Sequence, residues 1–138
     1  MFLSKSFEMN KIQKNEDLYT SLAHLFYSIA TVDNRIHLKE KEKIKELVDN
    51  HWRFNIIHAG SDKIIYSTLN KLFKEKMKSE DAFLFFSNFY NQNSELFTEE
   101  IKNIILQETS DIALSFSGIN KSESVLISRL YFLMNKNA

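Results

Sequence analysis

Proline is absent from this 138-residue chain, and glycine occurs only twice, at Gly60 and Gly118. An all-β chain of this length would need many turn residues, so the composition selects long helices joined by short connections. The length fits one domain, and such a chain buries about two thirds of its unfolded surface. Twelve phenylalanines and an apolar fraction of 43% supply a core.

Apolar spacing places the helices. Leu18, Leu22, Leu25, Phe26 and Ile29 recur at intervals of three and four, which predicts a helix over about 16–32. Residues 1–15 are mostly polar and read as an arm, or a short docking helix, preceding a single domain over 16–138. A second helix is expected over about 38–52, with Ile44, Leu47, Val48, His51 and Trp52 inward. A third over about 62–77 buries Ile65, Leu69, Leu72 and Phe73, with Ser61 as N-cap. Ser79 is expected to cap a fourth over about 80–92. Phe83, Phe85, Phe86 and Phe89 make its middle apolar nearly all round, which places it centrally and reads as core rather than as a ligand box. Thr98 is expected to cap a fifth helix over about 99–116, and a sixth runs over about 121–134.

The stretch from Ile29 to Leu47 returns without gaps as Ile112 to Leu130, with six of nineteen positions identical: Ile29/Ile112, Ala30/Ala113, Ile36/Ile119, Glu40/Glu123, Ile44/Ile127 and Leu47/Leu130. Each copy reads as a helix end, a tight turn and a helix start. The expected fold is therefore all-α: one compact bundle of about six to seven helices containing a duplicated helical hairpin.

The acids near the turns are the candidate site. Asp33 ends the first helix, where a carboxylate opposes the helix dipole and calls for a positive neighbour: Arg35, a lysine or a cation. Glu40 and Glu123 stand in the first turns of the following helices. There Asn120 and Glu123 have capping-box spacing, so both glutamates also have a purely structural reading. Glu108 falls on the stripe Ile101, Ile105, Ile112, with Asp111 one turn later on the same face. An acid on an apolar stripe must be paired, protonated or bound to a metal. If the turns bring Asp33, Glu40, Glu108 and Asp111 together, oxygen-only ligands would select calcium, magnesium or manganese over zinc. An EF-hand is excluded, because Ile29 and Thr31 fall where its first two ligands would be.

Ile29-Ala30-x-x-Asp33-Asn34-x-Ile36-x-x-x-Glu40 resembles the Ala-x-x-Asp-Gly-x-Ile-x-x-x-Glu signature of the TerB-like (tellurite-resistance protein B-like) family, and the second copy resembles that family's second half. The resemblance covers about 16–134. It implies an all-helical, two-repeat, non-catalytic module that binds a partner protein in the cytoplasm, acts in stress response, and holds metal through acids near the turns. Asn34 stands at the usual glycine, and Phe116 where the second repeat would carry its aspartate.

Other chemistry is sparse. Eighteen basic residues balance eighteen acidic ones, so there is no whole-molecule attraction to nucleic acid, and none is expected as a partner. The run Lys71, Lys74, Lys76 and Lys78 reads as a solvated face, with peripheral contact to anionic lipid as the alternative. No cysteine is present, which excludes a disulfide or thiolate zinc site and fits a reducing cytoplasm. The four histidines lack zinc-enzyme spacing, and two glycines cannot form a phosphate loop. No transmembrane segment is expected, and the oligomeric state is left open. The alternative from another class is a small-molecule-handling or hydrolytic helical protein with Glu108 and Asp111 as its acids.

Overall fold

With no proline and no glycine before Gly60, nothing in the covalent chain interrupts a helix at its N-terminal end. The computed structural model, which describes residues 2–32, 42, 46, 61–114 and 121–135, begins with one unbroken helix, α1 (Phe2–Thr31). The segment 1–15, expected as an arm or a short docking helix, is thus mostly the first half of α1. Five of its nine polar residues, Lys5, Glu8, Lys11, Gln13 and Lys14, are strong helix formers. Among the described residues, four further α-helices follow: α2 (Ser61–Glu75), α3 (Ser79–Gln92), α4 (Glu99–Leu114) and α5 (Lys121–Asn135), with a single 3-10 turn at Ser94–Leu96. The described residues contain no strand. The second helix expected over 38–52 lies outside them, apart from Glu42 and Glu46, which are helical and exposed.

The middle of the molecule is α1. Every residue from Ser21 to Thr31 is buried, and α1 packs against α2, α3, α4 and α5. This corrects the expectation that 80–92 would be central: α3 buries Ala82, Phe83, Phe86 and Tyr90 but leaves Leu84 and Phe85 exposed. The polar residues of α1 hid its role in the sequence, because they are satisfied within the helix itself. Ser21 Oγ donates to the Leu18 carbonyl at 2.7 Å, Ser28 Oγ to Leu25 at 2.6 Å, and Thr31 Oγ1 to Tyr27 at 2.8 Å. Such bonds let a hydroxyl enter a core without an orphaned donor.

The three residues between α2 and α3 make a tight reversal. Lys76 takes the left-handed conformation (φ 55°), and the Met77 N–H reaches the Leu72 carbonyl at 3.3 Å, the long bond of a Schellman motif. Glycine normally stands there because a Cβ is strained in that region. Lys76→Gly is therefore expected to raise stability by ~0.5–1 kcal/mol in urea unfolding, and an unchanged midpoint would contradict that reading. The N-cap of α3 is Lys78, with no side-chain cap bond, and Ser79 is the first helical residue. This corrects the expected Ser79 cap: its hydroxyl instead donates to the Ser28 carbonyl at 2.7 Å, tying α3 to α1. Ser61 likewise opens α2 from inside the helix. Thr98 does cap α4, its Oγ1 accepting the Ile101 N–H at 3.2 Å.

Phe97 anchors the turn between α3 and α4. It is buried against Phe86 (5.8 Å between ring centres), Phe89 (6.1 Å) and Tyr90 (4.7 Å). Edge-on and tilted rings at these separations are the favoured aromatic arrangements.

Candidate functional site: turn acids and an exposed apolar helix face

The hydrophobic stripe of α4 carries Glu108 inward with Ile105, Ile112 and Ala113. Its side chain is 0% exposed. Asp111, one turn on, is half-buried and accepts a bond from Gln107 Nε2 at 3.0 Å. Glu123 stands in the first turn of α5 and is buried too. Two glutamates buried on adjacent helices are uncommon, since charged side chains enter a core only with compensation. Asp33 and Glu40, and the Asn120 end of the capping-box pair, lie outside the described residues. Among the described residues, no three His, Cys, Asp or Glu side chains come together as a metal-binding group.

A cavity of about 450 Å³ opens at the C-terminal end of α1, lined by Tyr27, Thr31 and the segment from Lys76 to Glu80. Its hydroxyls are already engaged: Tyr27 donates to the Met77 carbonyl at 2.6 Å, and Ser79 and Thr31 bond as above. Its one carboxylate, Glu80, receives both Arg129 guanidinium nitrogens at 2.7 and 2.9 Å. That pairing holds Glu80 below the usual carboxylate range and raises Arg129, whose guanidinium also lies 4.5 Å from the Phe83 ring centre. Glu108 and Asp111 line no part of this cavity. The lysine run is solvated as expected, with Lys71, Lys74, Lys76 and Lys78 all exposed.

His24 is a feature that sequence spacing did not single out. It is buried in α1, its Nδ1 donates to the Thr20 carbonyl at 2.7 Å, and Phe85 stacks on it at 3.7 Å with an 11° tilt. Burial, the largest effect, pushes its pKa below 6.5; the Thr20 bond opposes this and Lys71 reinforces it. The unfolded chain therefore binds the proton first. His24 favours the folded state above pH 6.5, and that contribution is lost as pH falls through its lowered native pKa. Replacing His24 by Gln is expected to reduce the drop in urea midpoint between about pH 7.5 and pH 5.5. An identical drop in both proteins would refute this.

The outward face of α5 carries three exposed apolar side chains among serines. Phe132 is 80% exposed, Tyr131 58% and Val125 53%. Leu84 and Phe85 on α3 and Leu114 at the end of α4 are also exposed. Scattered apolar side chains on a surface are ordinary; several on one helix face mark a contact.

Comparison with protein-family models, with curated proteins and with solved structures found no match. Among the described residues, no helix is long and apolar enough to cross a membrane.

Proposed function

We propose that this chain is a non-catalytic, TerB-like cytoplasmic module that binds a partner protein and carries a divalent-cation site at its turn acids. The observation that carries the partner reading is the apolar face of α5, where Phe132, Tyr131 and Val125 stand in water. Within the repeat of 29–47 in 112–130, the described apolar pairs Ile29/Ile112 and Ala30/Ala113 are buried, but so is every residue of α1 from Ser21 to Thr31, so the two-repeat reading rests on the sequence match. A helix over 38–52 would bring the total to six, and the exposed, helical Glu42 and Glu46 have the environment that its outer face requires.

The cation reading rests on the buried Glu108 with Asp111 one turn away, and on the resemblance that assigns Asp33 and Glu40. The alternative is hydrolysis by Glu108 and Asp111, which share one face of α4 and stand apart from the described cavity at the end of α1.

One set of samples tests both halves. In chelator-treated protein, calcium, magnesium or manganese is expected to raise the unfolding temperature, the gain approaching ~2.7 kcal/mol at a hundred times the dissociation constant. Asp33→Asn and Glu108→Gln should abolish the shift. No shift at millimolar metal, or the same shift in both variants, ends the cation reading. For the partner, Phe132→Ser should lose whatever the native protein retains from a lysate while keeping its fold. Equal retention by both proteins ends the α5 assignment.

A further inference from the structure

The face of α5 has a gradient in side-chain size. After Lys121, its exposed positions are small in the N-terminal half, with Ser122, Ser124, Val125 and Ser128, and two in the C-terminal half are large, Tyr131 and Phe132. A helix graded in this way does not fit a parallel copy of itself, because large side chains would meet large ones. It fits an antiparallel copy. With a two-fold axis at Ser128, each position beyond 128 lies opposite the position equally far before it. Phe132 then covers Ser124 of the other copy, and Tyr131 meets Val125. Isologous interfaces demand this self-complementarity.

Charge points the same way. In a chain that is 26% charged, α2 exposes Lys63, Lys71, Lys74 and Glu75 along its length, whereas α5 exposes a charge only at its first residue, Lys121. Between Ser122 and Asn135, no exposed position of α5 carries a charge. The cation beside that face, Arg129, is bonded through both nitrogens to Glu80. Near a two-fold axis every charge faces its own sign, so a neutral strip suits self-association and gives a charged partner nothing to read.

We propose that the outward face of α5 is a homodimer interface, with α5 pairing antiparallel to α5 of a second copy about Ser128. This rests on the partner-binding reading above and names the partner. Leu84, one turn beyond Glu80 on the helix that Arg129 joins to α5, is also exposed. With aromatic side chains burying roughly 150–250 Å² each when fully covered, the strip covers on the order of 500 Å² per copy. A stable interface covers about 800 Å² per partner. The dimer is therefore a weak one.

Sedimentation equilibrium of the full chain over about 1 to 300 μM should show a monomer–dimer equilibrium. Phe132→Glu and Val125→Glu should each weaken it at least ten-fold with unchanged urea midpoints, since both positions are exposed in the single chain. The chain has no cysteine, so Ser128→Cys provides an independent reading. Helix axes 8–10 Å apart put the two Cα atoms at Ser128 within disulfide range. Under mild oxidation Ser128→Cys should form a covalent dimer at least ten times faster than Ser67→Cys, an exposed control on α2. A monomer throughout the range, a dimer indifferent to both glutamate variants, or equal cross-linking at 67 and 128 would each overturn the proposal. If the protein is monomeric but Phe132→Ser still loses a lysate protein, self-association fails and the partner-binding reading survives.

Discussion

Phe26→Ala should lower the stability of the folded chain by ~3–5 kcal/mol. Phe26 is 0% exposed and sits in the stretch of α1 buried on every side. The other helices all pack on α1, so no single neighbour can move in to fill the space without leaving another. Partial collapse is what keeps cavity costs low elsewhere, and here it is blocked. Urea unfolding should show the midpoint falling with little change in slope. Phe132→Ala, on the exposed face of α5, should change stability by no more than ~0.5 kcal/mol. A loss below ~1 kcal/mol for Phe26→Ala would mean that α1 is not the element the others pack around.

Phe97→Ala is expected to cost a similar ~3–5 kcal/mol, although the residue lies between helices rather than in one. Its ring is buried among Phe86, Phe89 and Tyr90 and closes the turn from α3 into α4. Removing it takes away three ring contacts at once and leaves Tyr90, whose hydroxyl donates to the Met134 carbonyl at 3.2 Å, without its nearest aromatic neighbour. Because Tyr90 joins α3 to α5, the loss should reach the C-terminal helix. Hydrogen exchange is expected to quicken in α5 as well as in the 94–98 turn. A destabilisation under ~1 kcal/mol, with exchange changed only locally, would make Phe97 a passenger.

Helix positions were the most legible part of the sequence. The ends of α2, α3, α4 and α5 fall within two residues of those read from apolar spacing, where the structure describes them, because each presents one apolar stripe to the core. Thr98 was readable as a cap because its hydroxyl bonds an N–H only three residues on, within reach of a local pattern. Ser79 was not, because its hydroxyl reaches Ser28 fifty-one residues away, a contact that no local pattern encodes. The centre of the fold was misread for a related reason. Apolar content all round suggested the 80–92 helix, whereas the buried helix is the one whose serines and threonine bond their own carbonyls. The N-terminal half of α1 was invisible to periodicity, since a polar helix has propensity but no stripe. At the candidate site, Glu108 was identified from its place on a hydrophobic stripe, and it is buried there. Apolar spacing assigns Leu126, Leu130 and Met134 to the inward side of α5, and they are buried; it gives no reason for Val125, Tyr131 and Phe132 to stand exposed on the other side.

The placement of α1 also sets an order of events during synthesis. The helix at the centre of the bundle is made first, and the last element to pack on it, α5, ends about a hundred residues later. At roughly 5–20 residues per second, the apolar surface around Leu22, Phe26 and Ile29 waits ~5–20 s for its full cover. Contacts between residues so distant in the chain also slow folding. A ribosome-bound chain halted before α5 would therefore present this surface to whatever lies near the exit tunnel, and protection by a chaperone would matter most in that interval.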